Sequence, residues 1–148
     1  MALALIMLLY AVIGVLAAAG AIALTSRHLS PRMEQLAYGV ILVPIAGYYL
    51  AFQAQLGPPA GEGSELLPVL GFMALGLAGT RVVPLLVLGY AGHGAWDFLH
   101  EVLMHQERLG SLTAIPLAYG VFCAVFDFAV AGYGWTRRHA WAAGWRDR

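Results

Sequence analysis

Residues 66–96 read LLPVLGFMALGLAGTRVVPLLVLGYAGHGAW, a run that is apolar apart from Arg81 until it reaches His93. As one straight helix it would extend about 46 Å at 1.5 Å per residue, well past the roughly 30 Å of hydrocarbon in a bilayer. The arginine therefore marks a break. Thr80-Arg81 separates a short span over 66–79 from a second over 82–104, with Pro84 close to the start of the latter, where a missing N–H is harmless.

The same count applied outward yields three more apolar runs, over 3–24, 36–54 and 113–135, followed by an interfacial tail over 136–148. Ser30-Pro31 is suited to opening the second helix, the serine as cap and the proline at the first helical position. Gly57, Pro58, Pro59, Gly61 and Gly63 then form a loop, with Glu62 and Glu65 marking it as an outer one. No basic stretch precedes the first run, which reads as a retained span rather than a leader. The expectation is an all-α, polytopic transmembrane bundle of about five spans in one domain.

Composition agrees. Of 148 residues 61% are hydrophobic and 11% charged, whereas a soluble domain carries about 25% charged residues. Eight arginines balance eight acids and no lysine occurs, so nothing is available to track a nucleic-acid backbone. The lone Cys123 has no cysteine partner within the chain. Sorted by alternate loops, Arg27, Arg32, Arg81, Arg137, Arg138, Arg146 and Arg148 fall on one side and Arg108 on the other. Positive charge is retained in the cytoplasm, which places the N-terminus outside and the C-terminus inside. Trp135, Trp141 and Trp145 around the last arginines suggest a tail lying on the inner surface. Gly14, Ala18 and Ala21 form a small-residue stripe, suited to packing within the bundle or to an oligomer contact.

The chemistry is concentrated in Gly92-His93-Gly94-Ala95-Trp96-Asp97-Phe98-Leu99-His100-Glu101, continuing to His105. An ionisable group in hydrocarbon costs about 2.5–3.5 kcal/mol even on a lenient scale, so several on one span need compensation. At about 100° per residue, Asp97 falls about 40° from His93, His100 about 20° to the other side, and Tyr90 and Glu101 about 60° and 80° round. They share one face, with His105 at its edge. Asp127 in the last span matches the depth of Tyr90 and comes within a turn of His93, which predicts an approach between the last two helices.

Imidazole and carboxylate at i, i+3 and i+4 suit a divalent cation such as zinc, iron or manganese, with His93, Asp97, His100 and Glu101 as candidate ligands. His93, Asp97, His100 and Asp127 are the candidate catalytic groups. A bound metal would activate water or, if redox-active, assist oxidation. Without a metal, a His–Asp pair serves acid–base or proton chemistry near neutral pH. The third reading is a satisfied interhelical network, in which Asp97 fixes a histidine tautomer. Gly92 and Gly94 admit close approach of another helix or a ligand. Glu34, near Arg32 and His28, reads as a solvated or interfacial ion-pair residue, and Cys123 as a small apolar packer. Haem is disfavoured because His28 and His139 lie at the inner surface, away from His93 and His100.

The run His93-x-x-Trp96-Asp97-x-x-His100-Glu101, then Pro116 and Cys123-x-x-x-Asp127, resembles a family of small bacterial integral membrane proteins of unassigned function. Their signature is H-x-x-W-D-x-x-H-H followed by a C-x-x-x-D helix, and Glu101 stands where that pattern has a second histidine. The resemblance implies that His93, Trp96, Asp97, His100 and Asp127 act as one unit, in a bacterial cytoplasmic membrane. The function expected is either a metal-dependent enzyme acting on a lipid or other apolar substrate, or a noncatalytic component whose cluster carries protons or holds helices together.

Overall fold

The computed structural model describes residues 1–56, 65–105 and 115–146, with side chains throughout except at Leu56, Leu103, Met104 and His105. The expected Gly/Pro loop with Glu62, the outer Arg108, Thr113 and Arg148 lie outside the described residues, as does the side chain of His105. Among the described residues all regular structure is helical: α1 (Ala2–His28), α2 (Pro31–Leu56), α3 (Leu66–Gly79), α4 (Val83–His105) and α5 (Tyr119–Ala143). The expected break at Thr80-Arg81 is observed, and α3 covers the residues assigned to the short span.

Local chemistry sets the boundaries. At the head of α2 the Met33 N–H donates to Ser30 Oγ at 3.4 Å and the Glu34 N–H to Ser30 O at 2.8 Å, with Pro31 first in the helix, as expected. Gly79 ends α3 in a tight reversal: a Cβ there would lie 2.8 Å from the Cα of Leu86, too close for any side chain. Helix α5 starts later than residue 113, at Tyr119. Its N-cap, Ala118, sits in the left-handed region at φ 61°. The Glu101 carboxylate holds that turn, accepting the N–H groups of Ala118 (2.9 Å) and Gly120 (3.0 Å) and answering the positive end of the helix.

Packing is most extensive between α4 and α5, between α2 and α3, and between α1 and α5. In α1 only Gly14 and Ala18 are buried, and the site a Cβ on Gly14 would take lies 2.7 Å from Phe122 O, so this stripe packs within the chain, on α5. The rest of α1 faces outward: Leu5, Leu8, Leu16 and Leu24 each expose more than 60% of their surface. Helices α1 and α2 (Pro31–Gln55) are long and apolar enough to cross a bilayer, and α3 is a shorter apolar helix.

At one end of the bundle the α1–α2 turn, the α3–α4 turn and the C-terminal end of α5 come together. Gln35 donates to Gly79 O at 2.8 Å and accepts from Trp145 Nε1 at 3.0 Å. Arg32 and Arg81 both stack over the Trp145 ring, their guanidinium carbons 4.2 and 4.1 Å from its centroid. Two expectations are corrected here. Glu34 is fully buried rather than solvated, and accepts from Tyr133 Oη (2.6 Å), Trp141 Nε1 (2.7 Å) and the Arg137 guanidinium (3.2 Å). Trp141 is fully buried rather than at a headgroup layer, packed against Tyr38 and Tyr133. The expected interfacial tail is therefore, to Ala143, a continuation of α5 held down by Glu34. Trp135 stays half exposed beneath Arg138. Above Glu34 lies an apolar layer of Tyr38, Leu42, Val83, Leu86, Tyr90, Val130 and Ala131.

Replacing Glu34 by leucine strands the buried Trp141 indole N–H and the part-buried Tyr133 hydroxyl, and a buried donor left unpaired costs about 1–3 kcal/mol. Glu34→Leu is expected to lower unfolding stability by at least about 2 kcal/mol in a denaturant titration followed by tryptophan fluorescence, and Glu34→Gln by less.

Candidate functional site

His93 is the eleventh residue of the 23-residue α4, near its middle. It is there that α4 and α5 approach closely, because a Cβ on Gly94 would lie 3.1 Å from both Ala124 O and the Asp127 Cβ. This contact brings Asp127 to His93, as its depth in the sequence predicted. His93 Nδ1 and Asp127 Oδ2 are 2.7 Å apart, and Asp97 Oδ2, one turn further along α4, is 3.0 Å from the same nitrogen. Nδ1 carries one proton at most, so only one carboxylate receives it in a hydrogen bond; the geometry gives it to Asp127. Asp97 is instead fixed by its other oxygen, which accepts from Tyr49 Oη of α2 at 2.6 Å.

The centre is buried and ringed by aromatics. His93, Asp97 and Asp127 are all at least 99% buried. Phe72 meets the His93 ring edge to face at 5.1 Å and Tyr49 does so at 6.0 Å. His93 Nε2, Asp97 Oδ2 and Asp127 Oδ1 have no hydrogen-bond partner among the described residues. Buried polar atoms are ordinarily satisfied, so two unpaired carboxylate oxygens beside one imidazole need an explanation, and an ion or ligand is a recognised one.

His93, Asp97 and Asp127 each offer one donor atom, all within 4.8 Å of one another, which makes them a candidate metal set. Donors held about 2.1 Å from one ion lie about 3–3.5 Å apart, close to the separations seen here. A cation would take the place of the proton now on Nδ1, as metal binding generally releases protons from its ligands.

The other candidate ligands lie elsewhere. His100 Nε2 faces Glu65 Oε1 at 3.0 Å, at the head of α3, with its ring against Tyr49 (4.9 Å) and Trp96 (5.6 Å). Glu101 serves the α5 N-terminus as described rather than the His93 cluster. Tyr90 turns away from Asp127 and donates to Tyr38 O at 2.9 Å. Cys123 is buried one turn before Asp127.

Three participants were not singled out from the sequence: Tyr49, Phe72 and Glu65. Tyr49 was accessible, since the buried positions Tyr38, Leu42, Ala46 and Tyr49 follow helical spacing on α2. Phe72 carries no polar group, and Glu65, read as an outer-loop marker, is 1% exposed.

A cavity of about 420 Å³ opens between α2 and α5, lined by Ile45, Tyr48, Phe52, Tyr119, Phe122, Cys123, Phe126 and Asp127. Among the described residues in its wall Asp127 is the only one with a charged side chain, and the same residue reaches His93. Comparison with family models, with curated proteins and with solved structures finds no match to the chain.

Removing one partner of a buried pair costs about 3–5 kcal/mol, because the other is left uncompensated. Asp127→Leu is expected to destabilise the protein by that amount in thermal unfolding followed by circular dichroism. Asp127→Asn keeps an acceptor for Nδ1 and should lose less than half as much; equal losses would separate Asp127 from the His93 pairing.

Proposed function

We propose that the chain is a multi-pass integral membrane protein of the bacterial cytoplasmic membrane, with five membrane-embedded helices. The exposed leucines of α1 support this reading, since an apolar face of that extent is stable only against an apolar surrounding. So does the gathering of Arg32, Arg81 and Arg137 at one end of the bundle, the arrangement of a cytoplasmic face. The N-terminus is then outside and the C-terminus inside. Reporters fused to the two termini should be active on opposite sides of the membrane, and two fusions active on the same side would refute the odd number of spans.

Within that frame the protein is a metal-dependent enzyme acting on a lipid or other apolar substrate. The observation carrying this is the triad of His93, Asp97 and Asp127, one nitrogen and two carboxylates converging with unsatisfied oxygens and without water-exposed surface. Two carboxylates and an imidazole fit zinc, iron or manganese and leave coordination positions open for water or substrate. A metal so held lowers the pKa of bound water or polarises an ester or phosphoryl oxygen. His100 and Glu65 belong to the surroundings of this centre rather than to its ligand set.

A second reading has its own support. Tyr49–Asp97 and His93–Asp127 join α2, α4 and α5 through their side chains alone, which suits a noncatalytic component whose network carries protons or fixes helix packing. Elemental analysis of protein purified without chelators separates the two. The enzyme reading expects about one metal per chain, lost in His93→Ala and Asp127→Ala and kept in His100→Ala. A metal-free protein that stays metal-free after reloading would leave the network reading standing.

A further inference from the structure

We infer that Tyr49 is a positioning residue of the His93 metal centre: its hydroxyl, donated to Asp97 Oδ1, holds the carboxylate so that Oδ2 alone faces the cation, and thereby sets how tightly the centre keeps a divalent metal. The inference deepens the enzyme reading above and rests on its metal. It adds a residue of α2 to a site whose ligand set comes wholly from α4 and α5.

An aspartate carboxylate that nothing holds turns broadly about its last torsion and can offer a cation one oxygen or both. At Asp97 the two oxygens have separate tasks. Oδ1 lies 2.6 Å from Tyr49 Oη, within the range of charge-assisted O–H···O⁻ bonds. Oδ2 lies 3.0 Å from His93 Nδ1 and has no hydrogen-bond partner among the described residues. Asp97 accordingly presents one oxygen to the centre, beside the Nδ1 of His93 and the Oδ2 of Asp127 that pair at 2.7 Å. The hydroxyl and the cation do not compete, because each has its own oxygen.

A donor can hold an acceptor only if it is itself held. Tyr49 is 3% exposed, and its ring packs edge to face against two imidazoles of α4, His93 at 6.0 Å and His100 at 4.9 Å. The direction of the hydroxyl is therefore fixed by packing as well as by the bond it makes. Removing a hydrogen-bond partner of a metal ligand typically weakens metal binding about tenfold to a hundredfold. Tyr49→Phe removes only that partner and keeps the ring, which separates the hydroxyl's effect on Asp97 from the ring's part in packing.

The test measures zinc affinity of the full chain in detergent by competition with a chromophoric chelator. Tyr49→Phe should bind zinc about tenfold to a hundredfold more weakly than wild type. Tyr38→Phe is the comparison, since Tyr38 is equally buried but bonds Thr25, away from the centre, and it should stay within twofold of wild type. A second readout uses wild type alone, and decides should Tyr49→Phe fail to fold. Infrared difference spectra of zinc addition, taken on protein with ring-deuterated tyrosine, should show the shifted C–O stretch of a tyrosine whose acceptor carboxylate has become a ligand. Affinity of Tyr49→Phe within twofold of wild type, an equal loss in Tyr38→Phe, or a wild-type difference spectrum without a tyrosine band would each overturn the inference and leave the metal reading in place. Wild-type protein that takes no zinc, iron or manganese would remove the metal reading and the inference with it.

Discussion

A carboxylate removed from water must be answered inside the protein or it will not stay charged there. This constraint organises the bundle. Glu34 collects donors from three α5 side chains and so ties the start of α2 to the end of α5. Asp97 and Asp127 converge on one imidazole and so fix α4 against α5 and, through Tyr49, against α2. Glu101 answers the amides at the opening of α5. Each acid fastens one element to another at a single register. Apolar packing alone discriminates poorly between neighbouring registers of helices as rich in leucine, alanine and valine as these.

Small residues supply the complementary condition, since polar side chains this short reach across an interface only if the backbones come close. Gly94 lets α4 meet α5 at the level of Asp127, and the paired glycines Gly39 and Gly76 do the same for α2 and α3, each lying where a Cβ on the other would be under 3 Å from backbone. The polar contacts and the close approaches are therefore interdependent.

Much of this was legible in the sequence, and the limits are instructive. The break at Arg81 followed from length alone, and the approach of Asp127 to His93 followed from helical periodicity plus depth, two quantities that a sequence of regular helices contains. Glu34 was misread because its sequence neighbours Arg32 and His28 offered an easy local explanation, whereas its partners Tyr133, Arg137 and Trp141 stand about a hundred positions away. Glu101 had the same azimuth as the metal candidates, but its role depended on where α5 begins, and residues 113–118 carry no strong start signal. Tyr49 escaped because a tyrosine in an apolar run looks like packing until an acid is found opposite its hydroxyl.

The apolar layer of Tyr38, Leu42, Leu86, Tyr90 and Val130 separates the Glu34 cluster from the His93 cluster. The two tyrosine hydroxyls bordering it do not bridge the gap: Tyr90 points its proton at a backbone carbonyl and Tyr38 pairs with Thr25. The His93 centre is consequently a blind well. On the arginine side a layer of buried apolar side chains closes it off, and the described tyrosine hydroxyls offer no relay by which a proton at His93 could pass to Glu34.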